Sequence, residues 1–466
     1  MKFARCVMLA GCLALHFPLQ LAAVAPRLGP APHTAPRIVL NPVGSAETGP
    51  STAGTAAQPP QAYKLPPDKL AKAIALGRIR NIIDLAGSLL DLAVLWLLLA
   101  TGVSRRIENW LRGITSRRWL QGLLFFALFL LITALADLPL DVYAHYVSRS
   151  YGISVAGWSS WLIDLSKGIG LSILFVPPIL LAFNWIVRRW PRRYWLYAWF
   201  ATIPLMVISV FIAPLFEPIF NQYESLGKNH PVLVAELEKV VARTGTDIPP
   251  ERMFLMKASR KTNGLNAYVS GIGATKRIVV WDTTADRIPD DQVLFLLGHE
   301  TGHYVLHHIP KGLALSAVGL FFIYCGCARF AGWLAGHFGA RWGLGDEGMG
   351  LQAENALSSR SGFVVLLFSI SVAGFVLAPV DNAVSRYFEH QADVYGQEAV
   401  RGIVTDPQKT AVAAFNALGQ AWLEDPNPNP FIEFWTYSHP STQHRASFAA
   451  QYDPWANGGR GEFFEK

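Results

Sequence analysis

The chain has 466 residues, 52% of them hydrophobic and only 16% charged, with a positive mean hydropathy of +0.28. Soluble globular domains are about 25% charged, so this balance excludes an ordinary soluble protein and points to lipid. Net charge is +7, yet the basic residues sit in short clusters between apolar runs, with no basic helix, finger spacing or RNA-binding signature, which argues against a nucleic-acid partner.

Residues 1–25 open with Lys2 and Arg5 and run apolar to Ala25. They read as a signal-like segment or a first transmembrane helix, and Pro26, directly after Ala23-Val24-Ala25, disfavours cleavage. Residues 26–62 are rich in Pro, Ala, Gly, Ser and Thr without period and read as a linker, extended by an amphipathic lead-in to about residue 83. Four apolar runs follow, near 84–103, 119–141, 165–187 and 195–215. Each approaches the ~20 residues that span hydrocarbon. Polar sequence at 216–310 predicts a catalytic lobe. Two further spans, near 311–335 and 361–380, lie within 311–380, and residues 381–466 form a polar tail. An even number of spans between the two polar segments lets them meet on one membrane face.

The arginines set orientation. Arg105, Arg106, Arg112, Arg117 and Arg118 share one loop, and Arg188, Arg189, Arg192 and Arg193 another; the loop between them, about 142–164, has Arg149 alone. The positive-inside rule places both arginine-rich loops in the cytoplasm and both polar lobes outside. The four cysteines, Cys6, Cys12, Cys325 and Cys327, lie in apolar segments and lack metal or redox spacing.

Within the first lobe, Asn266-Ala267-Tyr268-Val269-Ser270-Gly271 and Arg277-Ile278-Val279-Val280-Trp281-Asp282 are β-rich segments that predict a hairpin. An exposed strand edge there would hold an extended substrate as an added strand. Then comes His299-Glu300-Thr301-Gly302-His303, behind a polar helix start at Pro289, Asp290, Asp291 and Gln292. Residues four apart share a helix face. His299 and His303 therefore offer two imidazoles to one Zn2+, and Glu300 is placed as general base toward a zinc-activated water. His307 extends the stripe and His308 follows it; a residue eight positions on lies about 12 Å away along the axis, so both read as structural or interfacial. A third ligand is sought in the tail, where Glu389 and Asp393 share a face. Glu389 is the candidate ligand and Asp393 the candidate partner of a ligand His. Near the C-terminus, His439 and Arg445 are candidate oxyanion donors.

Taken in order, these segments resemble the type I CAAX prenyl protease family of integral-membrane zinc metalloproteases. The likeness runs from about residue 63 to 450. It includes Tyr151-Gly152, Asp164–Lys167, Phe211-Ile212-Ala213-Pro214-Leu215-Phe216, Asn266-Ala267-Tyr268, the His299–His308 segment, Glu389–Asp393, and Ser438-His439-Pro440 with Arg445. The resemblance implies a mostly α, polytopic membrane protein. About seven transmembrane helices would ring a chamber, with a zincin-like catalytic lobe containing a small β-hairpin. It implies one Zn2+ on His299, His303 and Glu389, with Glu300 as base. Asn266, Ala267 and Tyr268 would contact a peptide or protein substrate, and His439 and Arg445 would lie near the reacting carbonyl. Ser441 and His444 depart from the family pattern, which commonly has proline and an acidic residue there.

Family members that trim prenylated proteins present their lobes to the cytosol, opposite to the arginine reading. That reading, with the signal-like leader, predicts a bacterial inner membrane and a role in envelope protein quality control. A rival enzyme class cleaves inside the bilayer, but here the His-Glu motif precedes a span and no partnering Asp-Gly motif follows in one. The non-enzyme alternative is a membrane chaperone with a structural zinc site, for which Glu300 would be dispensable.

Overall fold

A computed structural model describes residues 62–344, 353–456 and 458–464. The leader and most of the linker lie outside the described residues, as do Cys6 and Cys12. The chain begins with α1 (Pro67–Ala100), α2 (Val103–Ile114), α3 (Arg118–Ser150), α4 (Trp158–Arg189) and α5 (Tyr194–Phe220). A lobe follows with β1 (Tyr223–Ser225), α6 (Pro231–Thr244), β2 (Met253–Met256), β3 (Ala267–Ser270), β4 (Arg277–Trp281) and α7 (Asp290–Val305). Then come α8 (His308–Phe338), α9 (Arg360–Ala399), α10 (Pro407–Trp422), α11 (Pro430–Thr436) and α12 (Thr442–Gln451).

Six described helices, α1, α3, α4, α5, α8 and α9, are long and apolar enough to cross a membrane. Each overlaps one apolar run of the sequence. Large side chains such as Leu215 (73% exposed) and Phe322 (67%) stand outward from them, where lipid replaces the packing a soluble core would supply. Several spans carry internal prolines, among them Pro139, Pro204 and Pro379, which membrane helices tolerate when neighbours satisfy the freed carbonyls.

The two ends of the bundle differ. At one, Glu108 of α2 binds Ser361 and Arg360 at the start of α9, Arg360 donates to the Arg118 carbonyl, and Asn184 reaches the Ser358 carbonyl. Both arginine-rich loops lie at this end. At the other, Lys261 ties the lobe to Asp164 and to the Phe220 carbonyl, and Thr262 donates to the Ile153 carbonyl. Helix α9 joins the ends. Its 40 residues span roughly 60 Å at ~1.5 Å each, twice the ~30 Å hydrocarbon thickness. Its last turns therefore rise into the lobe, and they carry Glu389 and Asp393.

The lobe core gathers α6, the sheet, α7, α10 and α12 around Leu237, Val280, Phe295 and Phe415. The expected hairpin is present as the antiparallel pair β3–β4, with Ala267 opposite Val280 and Ser270 opposite Arg277. It belongs to a larger sheet of order β1-β2-β4-β3, in which β2 runs parallel to β4. The expected open edge needs correction. Strand β3 is at the edge, but Ala267, Tyr268, Val269 and Ser270 are all at most 5% exposed. Helix α7 covers them: the Tyr304 hydroxyl donates to the carbonyls of Val269 and Gly271.

Candidate metal centre

Pro289 is the N-cap of helix α7, with Asp290 and Asp291 in the first turn at the positive end of the helix dipole. It crosses α9 on glycines. A Cβ on Gly298 would sit 3.0 Å from the Gly396 carbonyl oxygen, one on Gly396 would sit 2.8 Å from the His299 nitrogen, and one on Gly302 would meet the Tyr395 ring at 3.0 Å. With no side chain at these points the helices approach closely. Glu389 and Asp393 then reach His299 and His303, about ninety residues away in sequence.

His299, His303 and Glu389 form the group of potential metal donors among the described residues. His299 Nε2 lies 3.2 Å from His303 Nε2 and 3.3 Å from Glu389 Oε2, and His303 Nε2 lies 3.6 Å from Glu389 Oε1. Ligands at ~2.0–2.1 Å on the corners of a tetrahedron stand roughly 3.3–3.4 Å apart, so the triangle has the size a zinc ion requires. Glu389 Oε2 is buried and has no hydrogen-bond partner. Such a group is costly unless something charged completes it. The donor set thus fits zinc. It has three protein ligands, as in catalytic sites, rather than the four of a closed structural site.

The remaining predicted residues surround this triangle. Asp393 Oδ1 lies 2.9 Å from His299 Nδ1, and Arg445 grips Asp393 with Nε at 2.9 Å and Nη2 at 2.5 Å. Arg445 Nη2 is also 3.7 Å from Glu389 Oε2, and its guanidinium rests 4.6 Å from the Phe415 ring centre. The structure places Arg445 beside the donors, bound to Asp393. His439 stands on the open side, its side chain 37% exposed, with Nε2 3.4 Å from Glu389 Oε1 and Nδ1 2.9 Å from Ser438 Oγ. Asn266 is half-buried beside the sheet. Tyr268 points elsewhere: its hydroxyl donates to Glu217 Oε2 at 3.0 Å, within a network that includes Tyr223 and Arg277.

Burial governs the titration of the centre. It pushes the Glu300 carboxyl up to about 7, although His299, Arg445 and a hydrogen bond from the Val269 N–H oppose it. Burial takes His303 down to about 3 and so keeps its imidazole neutral, the form that ligates. Burial also disfavours charge on His299, but the Asp393 and Glu389 carboxylates beside it win and raise it to about 9. His439 is lowered by burial.

One contact escaped the sequence reading. Helix α7 stops at Val305, and His307, at φ 59, turns the chain so that α8 starts at His308. His308 is fully buried, and its Nδ1 lies 3.0 Å from His303 Nδ1. An i,i+5 pair does not share a helix face, so helical spacing carries no signal for it.

Comparison with known proteins agrees with this geometry. Residues 52–222 match the CAAX prenyl protease N-terminal family, described as five membrane helices, and residues 228–452 match peptidase family M48. An uncharacterized metalloprotease of Bacillus subtilis, YhfN, is 34% identical over 85% of this chain and 88% of its own. CAAX prenyl protease 1 of Saccharomyces cerevisiae is 25% identical over 70% of this chain and 71% of its own. The crystal structure of S. mikatae Ste24p superposes with a TM-score of 0.66 at 22% identity, covering 84% of this chain and 93% of that one. The chain belongs to peptidase family M48 and is an integral-membrane metalloendopeptidase of the CAAX prenyl protease type.

Proposed function

We propose that the chain binds one Zn2+ through His299 Nε2, His303 Nε2 and the Glu389 carboxylate and hydrolyses peptide bonds there. The convergence of those donors at 3.2–3.6 Å, with one Glu389 oxygen left without a hydrogen bond, carries the reading. Zinc, when bound, supplies a Lewis acid that polarises the scissile carbonyl and makes water a nucleophile near neutral pH.

The protein's own groups do the rest. Glu300 accepts the proton of the attacking water and returns it to the leaving amine. Its raised pKa suits both transfers. The Val269 N–H, which favours the charged form of this base, belongs to strand β3. His439 donates from Nε2 to the developing oxyanion. With the proton on Nε2, the Nδ1 lone pair accepts from the Ser438 hydroxyl, 2.9 Å away. Asp393 and Arg445 hold His299 in place. Asn266 contacts the substrate backbone, while the buried Ala267 and Tyr268 serve as the frame behind it.

The lobe and both arginine loops occupy opposite ends of the bundle. With the arginines cytoplasmic, the catalytic centre faces outward from a bacterial inner membrane, toward membrane and envelope proteins as substrates in quality control. The carboxylate-to-amide change Glu300→Gln tests the chemistry. One zinc per chain is expected to remain, by elemental analysis, while turnover of a quenched fluorogenic peptide falls by about 10²–10⁴-fold. Normal turnover in that variant would sink the mechanism.

A further inference from the structure

To ligate through Nε2, each histidine must carry its proton on Nδ1 and place it on an acceptor. His299 meets this demand with the Asp393 carboxylate at 2.9 Å. His303 has no carboxylate at that position. Its Nδ1 faces another imidazole nitrogen, His308 Nδ1, at 3.0 Å. Two such nitrogens attract only when one bears the proton and the other a lone pair.

Gln391 decides which. Its Oε1 lies 3.2 Å from His308 Nε2. A carbonyl oxygen can only accept, so His308 Nε2 is the donor and His308 Nδ1 holds the lone pair. In this amide orientation Gln391 Nε2 donates to the Tyr387 hydroxyl at 3.3 Å. With the Gln391 oxygen toward His308, proton direction follows along the row. His303 donates from Nδ1, and its Nε2 lone pair is directed at the donor triangle. Reversing the Gln391 amide would reverse the row and leave the proton on His303 Nε2, where it blocks ligation.

The fold supports this arrangement. The left-handed turn at His307 swings His308 back toward His303, and the His308 ring lies stacked on Phe388, 4.4 Å between centres at an interplanar angle of 11°. Phe388 and Gln391 flank Glu389 on α9, so one helix supplies both the third ligand and the end of the row.

We infer that His308 and Gln391 are positioning residues that form an uncharged hydrogen-bond row fixing the tautomer and ring plane of His303 for zinc. The two histidine ligands would then be held by opposite means, His299 by an ion-paired carboxylate and His303 by neutral groups. This inference rests on the proposal that His303 ligates zinc.

Two substitutions in the full-length detergent-solubilised protein separate hydrogen bonding from packing. His308→Phe keeps the ring stack but has no acceptor. His308→Asn loses the ring but returns an oxygen acceptor near the Nδ1 position. Zinc affinity, read by chelator competition, is expected to fall by roughly 10–100-fold in His308→Phe, to stay nearer wild type in His308→Asn, and to weaken in Gln391→Leu. The visible spectrum of the cobalt-substituted protein is expected to shift in His308→Phe. Wild-type affinity and spectrum in His308→Phe, or a greater loss in His308→Asn than in His308→Phe, would overturn the inference and assign His308 to packing. His303→Ala tells the two failures apart. If it retains zinc at wild-type affinity, the ligand assignment fails and the inference falls with it. If it loses zinc while His308→Phe does not, the inference alone fails.

Discussion

Glu108 and Glu389 are buried at opposite ends of the same bundle, 2% and 7% exposed, and they do different work. Glu108 is completed by the protein. Its carboxylate accepts from the Ser361 N–H at 3.0 Å, the Ser361 hydroxyl at 2.7 Å and Arg112 at 3.2 Å, with Arg360 alongside. Burial by itself would raise its pKa, but these partners hold it below the usual glutamate range. Glu389 faces imidazole nitrogens, and one of its oxygens has no hydrogen bond. The contrast teaches that burial does not mark a reactive carboxylate. What sets Glu389 apart is convergence: its carboxylate and two imidazole nitrogens point at one another as potential metal donors, and one oxygen has no hydrogen bond.

Breaking each end tests that contrast. The largest effect is expected from Glu389→Ala, which removes a ligand: zinc measured by elemental analysis falls from one per chain to near none while the chain stays folded in detergent. Full zinc content in this variant would remove Glu389 from the ligand set. Glu108→Ala takes the carboxylate from the buried Arg360 and the acceptor from the Ser361 N–H and is expected to cost about 3–5 kcal/mol of stability, seen as a lower unfolding temperature, with zinc per folded chain unchanged. A lost metal with unchanged stability would invert the comparison. Asp393→Asn keeps the side-chain volume but deprives His299 and Arg445 of a charge; zinc affinity is expected to drop by roughly 10–100-fold, without the collapse seen for Glu389→Ala. The smallest effect belongs to Tyr268→Phe. It takes one hydrogen bond from Glu217, worth about 1 kcal/mol, and should leave KM unchanged. A KM raised several-fold would mean that Tyr268 touches substrate after all.

Much of this was legible in the residues. The apolar runs gave the spans because hydrocarbon demands about 20 residues of one character, and the His299–Glu300–His303 spacing gave one helix face because α-helical geometry is local. Strands β1 and β2 were missed. At three and four residues they are too short for alternation to register. The openness of β3 was misjudged for a different reason. A strand's pattern shows which side chains alternate, not which helix lies against its edge, and Tyr304 of α7 closes this one. Arg445 could be picked out as a cation near the site, but its commitment to Asp393 depends on how α12 packs against α9.

The membrane character, the two arginine-rich loops and the His299–Glu300–His303 spacing on one helix were thus readable from the residues alone, since each rests on composition or on spacing within one element. Tertiary structure decided which carboxylate meets the histidines and which one supports them. It also turned His308 back onto His303 and buried strand β3. Those outcomes depend on the distance between elements far apart in the chain. Here that distance is fixed by glycines at the α7–α9 crossing and a left-handed turn at His307, whose consequences appear only when the helices pack.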